Sequence, residues 1–218
     1  GEQTIAFFLL GPDQPGLCEA ILGALQEGSS NELILSSKGF SIAEASSSVG
    51  SHEEGAWSYR EPINALPRIA IIGAGHVGFA LSRTMQQLGF HVHLMDDREG
   101  LNTMEANSWA EQRTVVDYSA IETVVQEDEE LYVVLVSFGY RTDEVLLRQL
   151  IRKRFKYLGL LGSVEKIKTL FASMQDDGFT QEELSRVHAP IGLPISSRTP
   201  EEIAVSIAAE IIATKNRS

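Results

Sequence analysis

The chain has 218 residues, 43% of them hydrophobic, and a formal net charge of -12; it can bury a sizeable core in one or two domains, and it lacks the clustered Lys and Arg that nucleic acid or an anionic membrane requires. Its one cysteine, Cys18, excludes an intrachain disulfide and a cysteine-rich metal site, fits a reducing compartment, and is expected as a small buried residue on a helix. No run approaches the ~18 apolar residues of a membrane span, and residues 5–10 are too short a run for a signal-peptide core, so a cytoplasmic protein with no membrane partner is expected.

Residues 4–10 read as a strand that Gly11-Pro12-Asp13 stops. The apolar run begins within a few residues of Gly1, which reads as a fragment of a longer protein. Leu17, Ile21, Leu22 and Leu25 then recur at near-helical spacing, and residues 27–31 end that helix. Residues 32–36 and 40–45 alternate around Ser37-Lys38-Gly39, a hairpin pattern. Residues 46–55 are small and polar, a loop or flexible join; residues 56–63 alternate again through Trp57 and Tyr59 before Pro62 and Pro67 mark a boundary. Residues 1–66 are therefore expected as a small α+β unit, and they carry no recognisable catalytic constellation.

From Arg68 onward strands and helices alternate, the pattern of a parallel sheet with helices on its faces. Residues 67–218 are expected as a Rossmann-like, doubly wound α/β domain. An apolar run, residues 68–72, gives way to Gly73-Ala74-Gly75-His76-Val77-Gly78, a helix predicted over residues 77–88 follows, and Gly89 stops it. Asp96 closes the next strand about twenty residues on, which is the context that a dinucleotide-type GxGxxG needs. Gly73 lets the chain turn, Gly75 lets backbone amides approach a phosphate, and Gly78 lets the helix lie close to the strand. The unpaired amides of residues 75–77 and the helix dipole make a place for an anion. His76 has two readings: a charge-assisted hydrogen bond to that anion, or an imidazole stacked over the turn. Asp96 is placed to accept from a ribose hydroxyl, while Arg98 suits an added phosphate, so the sequence leaves the nucleotide preference open.

His91 and His93 share one face of the strand over residues 90–96, but with no third ligand nearby the expectation is packed imidazoles and no metal. Residues 115–117 offer a short strand, Ser119 opens a short helix, and Glu127-Asp128-Glu129-Glu130 reads as a solvated loop. The β-branched run over residues 131–137 looks like a central parallel strand buried on both faces; its end, Ser137-Phe138-Gly139-Tyr140, would open onto the ligand crevice. Thr142 is expected to cap a helix over residues 143–154. Residues 157–163 repeat the strand, glycine and helix-start order, making Gly162 and Ser163 a second candidate anion-holding turn, with a glycine-relieved crossover as the alternative. A short helix over 181–186 leads to a Pro- and Gly-broken stretch, and Thr199-Pro200-Glu201-Glu202 is a capping box opening a last helix whose buried face is Ile203, Ile207, Ala208 and Ile211.

The residues from about 67 to 215 resemble the XdhC/CoxI proteins, accessory factors of xanthine dehydrogenase and related molybdenum hydroxylases. The resemblance rests on Ile-Gly-Ala-Gly-His-Val-Gly at 72–78, Asp-Asp-Arg at 96–98, Tyr-Leu-Gly-Leu-Leu-Gly-Ser at 157–163, Ala-Pro-Ile-Gly-Leu at 189–193 and Arg-Thr-Pro-Glu-Glu-Ile-Ala-Val-Ser-Ile at 198–207. It implies binding of the molybdenum cofactor (molybdopterin) while a cofactor sulfurase installs its terminal sulfur, then delivery to the apo-enzyme of a molybdenum hydroxylase; a homodimer is carried as a further expectation. Phe138, Gly139 and Tyr140 stand where the family usually has histidines and an acidic residue, and the family's amino-terminal glycine- and cysteine-bearing motif is missing, so the first unit is either incomplete or divergent.

Two other functions use the same crevice: an NAD(P)-dependent oxidoreductase and a nucleotide-sensing module. A hydride-transfer enzyme needs a proton donor or acceptor and a substrate domain beside the nucleotide fold, and no such set, nor a Tyr-x-x-x-Lys pair, is visible in the sequence. The expectation is a non-catalytic maturation factor with Gly73, Gly75, His76, Val77, Gly78, Asp96, Arg98, Gly162 and Ser163 as its cofactor-binding residues.

Overall fold

The computed structural model describes residues 15–27, 31–36, 39–44, 58–63 and 66–217. The strand expected over residues 4–10 and the loop over residues 46–55 lie outside them. Chain contacts divide the protein into two compact units, Gly1–Leu66 and Pro67–Ser218.

In the first unit, α1 (Pro15–Glu27) is followed by β1 (Asn31–Ser36), β2 (Gly39–Glu44) and β3 (Ser58–Ile63), which form an antiparallel sheet in the order β2-β1-β3. The hairpin read from the sequence is β1 with β2, in a register that runs from Asn31 opposite Glu44 to Ser36 opposite Gly39. Arg60 on β3 reaches Glu32 on β1 at 3.1 Å, an opposite-charge cross-strand contact. Cys18 lies on α1 as expected, but it is exposed rather than buried.

The second unit is the Rossmann-like layer. Its sheet has five parallel strands: β4 (Arg68–Ile72), β5 (His91–Asp96), β6 (Gln112–Val115), β7 (Asp128–Leu135) and β8 (Phe155–Leu160), in the order β6-β5-β4-β7-β8. The chain enters at the middle strand, builds outward through β5 and β6, then returns to the other side of β4 with β7. The order therefore reverses between β4 and β7, and ligands of open α/β sheets bind outside the carboxyl ends of the strands at such a reversal.

Strand periodicity explains the apolar runs. Along β4, Ile69 and Ile71 face one helical layer and Ala70 and Ile72 the other. Tyr132, Val134 and Val136 against Val133 and Leu135 do the same along β7. One layer holds α2 (His76–Gln87) and α8 (Pro200–Lys215), packed against each other through residues such as Leu81, Met85, Ile207 and Ile211. The other holds α4 (Ile121–Val124), α5 (Tyr140–Leu150), α6 (Val164–Asp176) and α7 (Gln181–Ser185). A short α3 (Asn102–Glu105) follows β5. The Thr199 capping box opens α8 with Pro200 at the helix start, and Ile207, Ala208 and Ile211 are buried with Ile203 packed beside them, as the sequence predicts. Among the described residues no helix is long and apolar enough to cross a membrane.

Three local expectations are corrected. The acidic residues expected in a solvated loop begin β7: Asp128 pairs with Phe155 in the sheet, and Arg68, Arg154 and Lys156 lie 2.5, 3.5 and 3.6 Å from Asp128, Glu129 and Glu130. Arg68 on β4, Lys156 on β8 and Arg154 just before β8 thus supply the neutralisation that a strand start of like charges needs. The short strand expected at 115–117 is β6, over Gln112–Val115, because its partners His93–Asp96 set the register. Helix α5 starts at Tyr140 and ends at Leu150, with Gly139 at φ 110° making the turn, so Thr142 falls inside the helix and is not its cap.

Candidate functional site

The carboxyl end of β4 runs into the glycine turn. Gly73 has φ 117°, and a Cβ there would stand 2.5 Å from the Val136 carbonyl oxygen and 2.7 Å from Ser137 N. Only glycine permits both the backbone conformation and this approach of β7. A Cβ on Gly78 would lie 1.9 Å from the Gly73 carbonyl oxygen, so the third glycine closes the helix onto the turn itself. Gly75, the residue before α2, is different: its φ of -68° and ψ of -169° suit any residue, and a Cβ would meet no atom of the described residues within 4 Å. It faces open space at the helix start.

The turn is held from both sides. Gly73 N donates to Met95 O at 2.8 Å, Ala74 N donates to Asp96 Oδ2 at 2.7 Å, and Thr103 Oγ1 donates to the Ala74 carbonyl. Phe79 N donates to Gly75 O at 2.9 Å and begins the helical ladder. The amides of Gly75, His76, Val77 and Gly78 have no acceptor among the described residues. They are the donors that a helix start leaves over, at the positive end of a helix that carries no acidic residue in its first turn. His76 is exposed at this edge and Val77 half-buried.

Asp96 already has its own partners within the turn. It is fully buried, and its Oδ1 accepts from Arg98 N at 3.1 Å and Arg98 Nε at 2.7 Å, while Oδ2 accepts from Ala74 N and from Arg98 Nη2 at 2.8 Å. A carboxylate has about four acceptor positions, and all of them are taken. Burial pushes the Asp96 carboxyl up, but the Arg98 hydrogen bond and the Ala74 and Arg98 amides outweigh it, so the group sits below its ordinary value. The Asp96 hydrogen bonds in turn raise Arg98 above its ordinary value. The neighbouring Tyr118 hydroxyl is buried with no hydrogen-bond partner among the described residues; burial, then the Asp96 and Asp97 charges, keep it neutral.

The second candidate turn is more occupied. Ser163 Oγ accepts from Lys166 N at 3.2 Å as the cap of α6, and a Cβ on Gly162 would be 3.0 Å from Ile167 Cδ1, so Gly162 relieves packing against the first turn of that helix. Lys166 turns its side chain towards α5, where its Nζ pairs with Asp143, a carboxyl 1% exposed that also accepts from Ser137 Oγ. Burial pushes the Asp143 carboxyl above its usual range against the pull of Lys166 and Ser137. Sequence reading missed this cluster: Asp143 lies six residues from Ser137 and twenty-three from Lys166, separations that no local motif reports. Phe138, next to Ser137, is 90% exposed.

His91 and His93 share a strand face, and His93 Nε2 lies 2.8 Å from Thr114 Oγ1. Burial, then the neighbouring His91, lower the His93 imidazole below its ordinary value. Among the described residues no group of three or more His, Cys, Asp or Glu is placed to hold a metal ion.

The reversed sheet order and the open glycine turn at its centre define a Rossmann domain. The family described as the XdhC Rossmann domain matches residues 69–211, and this chain belongs to the XdhC family. The chain is 31% identical over 172 residues to the uncharacterized protein YqeB of Escherichia coli (strain K12), covering 78% of this chain and 31% of that one. It is 30% identical over 155 residues to a probable xanthine dehydrogenase subunit of Bacillus subtilis (strain 168), covering 71% and 45%. A crystal structure of a xanthine dehydrogenase from Bacillus halodurans superposes with a TM-score of 0.72 at 21% identity, over 93% of this chain and 64% of that one, a likeness of fold. The chain thus spans less than half the length of either curated relative.

Proposed function

We propose that this chain is the cofactor-handling part of an accessory factor for a xanthine dehydrogenase-type molybdenum hydroxylase. In this reading it binds the molybdenum cofactor by its phosphate, keeps it while a cofactor sulfurase acts, and delivers it to the apo-enzyme. The observation that carries the reading is the start of α2: four amides without acceptors among the described residues, beside a glycine whose missing side chain meets none of their atoms. Those residues fit a phosphate monoester, because backbone approach and unpaired donors are what such a group needs. The step from phosphate to this particular cofactor is supported by membership of the XdhC family and by the names of the Bacillus relatives.

Once in the recipient enzyme, the cofactor supplies redox chemistry. This chain's own residues bind and orient: Gly75, His76, Val77 and Gly78 present amides, while Asp96 fixes the turn through Ala74 and aims Arg98. The NAD(P) reading shares the turn and is favoured by the position of Asp96 at the end of β5. Against it stands the saturation of that carboxylate, since a ribose diol would have to displace Arg98 or the Ala74 amide to be accepted.

The test is retention. The purified protein is mixed with molybdopterin released anaerobically from a molybdoenzyme and, separately, with NADH and NADPH, then desalted and read by absorbance. Retained pterin with no retained nicotinamide is expected; retained NADH with no pterin overturns the proposal.

A further inference from the structure

The sheet order places the glycine turn at its centre, with Asp96 and Arg98 on the β5 side and a different polar group on the other. Ser137 follows β7, Asp143 lies in the first turns of α5, and Lys166 lies in the first turn of α6, just after β8. A chain of contacts joins them to the glycine turn: the Val136–Ser137 backbone lies against Gly73, Ser137 Oγ donates to one oxygen of Asp143, and Lys166 Nζ donates to the other. Asp143 is 1% exposed, Lys166 25% exposed, and Ser137 partly buried. The carboxylate is thus the hidden member, and the two groups that it holds are those that reach solvent.

Chemistry gives each partly exposed group something left to offer. An ammonium has three donors and Asp143 takes one of them; a hydroxyl that donates to Asp143 keeps its oxygen lone pairs. A buried ion pair is weak support for stability, because desolvation offsets most of its attraction, and an apolar pair would serve the packing between α5 and α6 as well. The pair fixes the direction of a lysine at the carboxyl edge of the parallel sheet, two strands from the turn whose amides have no acceptor among the described residues.

We propose that Lys166, positioned by Asp143, which Ser137 also holds, is a second ligand-binding element of this crevice and takes the ligand's second anionic group, its ene-dithiolate, on the β7 and β8 side, while the amides of α2 take its phosphate. The inference rests on the reading of the crevice as a molybdopterin site, and it divides the ligand's recognition in two. The phosphate is held by backbone alone; the distal anion is held by a side chain whose aim depends on a buried carboxylate. Asp143 is a positioning residue, since it touches Lys166 and Ser137 and is itself shielded from the crevice.

Because Lys166→Met alone would leave Asp143 buried without its counter-ion, the test uses the paired variant Asp143→Asn/Lys166→Met, which removes both charges, alongside Lys166→Arg. Binding of inorganic pyrophosphate reports on the α2 amides, and binding of molybdopterin on the whole crevice, both by titration, with thermal unfolding as the check on fold. The paired variant is expected to bind pyrophosphate as the parent does and molybdopterin about tenfold or more weakly, the loss of one charge-assisted hydrogen bond. Lys166→Arg, which keeps the cation, is expected to recover part of that loss, whereas a merely structural tie between helices would show as a fall in Tm with both ligands bound as by the parent. Equal molybdopterin affinity in parent and paired variant overturns the proposal while leaving the phosphate site standing; no molybdopterin binding by the parent overturns both. If the paired variant fails to fold, Lys166→Arg decides: it must weaken molybdopterin and leave pyrophosphate unchanged.

Discussion

Replacing Gly75 by valine should remove ligand binding and leave the fold in place. The backbone at Gly75 is ordinary extended chain, φ -68° and ψ -169°, and a Cβ there meets no atom of the described residues within 4 Å, so this domain accepts the side chain without strain. The fold loses only the preference for glycine over valine before a helix, about 1 kcal/mol. That corresponds to a fall in Tm of roughly 2–4 °C for a domain of this size. The added methyl groups, however, stand in the space through which a phosphate reaches the α2 amides. Loss of two charge-assisted hydrogen bonds, each roughly 1.5–3 kcal/mol, lowers affinity by about 10²–10⁴-fold. Calorimetric titration with pyrophosphate and with molybdopterin, beside thermal unfolding of both proteins, measures the two effects separately. Affinity within about twofold of the parent refutes the assignment of this turn as the phosphate site. The neighbouring Gly78→Ala provides the contrast: its Cβ would stand 1.9 Å from the Gly73 carbonyl oxygen. It should destabilise the domain by roughly 3 kcal/mol or more, as overpacking against backbone does.

Asp96→Asn should act on stability before binding, because the amide can no longer receive both Arg98 donors and the Ala74 amide; a loss of about 2–3 kcal/mol in urea unfolding is expected. Unchanged stability together with lost NADH binding would return Asp96 to a ribose role. Asp143 gives a pH signature of the opposite sign to Asp96: its folded-state carboxyl titrates above its unfolded value, so between the two the native state binds more protons, and stability falls as pH rises through that window, starting near 3.8. Asp143→Asn should flatten this part of the stability profile measured by thermal unfolding from pH 3 upward, and an unaltered slope would place the titration elsewhere.

The alternation of strands and helices, the glycine turn and the last helix were all legible in the sequence because each is decided by neighbours along the chain. Val133, Val134 and Leu135 announce a strand covered on both faces, and Thr199 with Glu202 announces a helix start, since both signals lie within one element. Gly73 and Gly78 could be singled out for the same reason, although the surfaces they accommodate, the end of β7 and the turn's own carbonyl, became visible only in the fold.

Tertiary structure decided what the polar residues do. Position alone suggested Asp96 as a ribose acceptor; only packing showed that Ala74 and Arg98 bond both its oxygens. Position alone made Asp128–Glu130 a loop; Arg68, Arg154 and Lys156, carried in by β4 and β8, allow those residues to start a strand. The joining of Ser137, Asp143 and Lys166 depends on three connections meeting at one edge of the sheet. A charged side chain takes its meaning from what desolvates it and what faces it, and both are set by residues distant in sequence, whereas a helix cap or an alternating strand is specified within a few residues of itself.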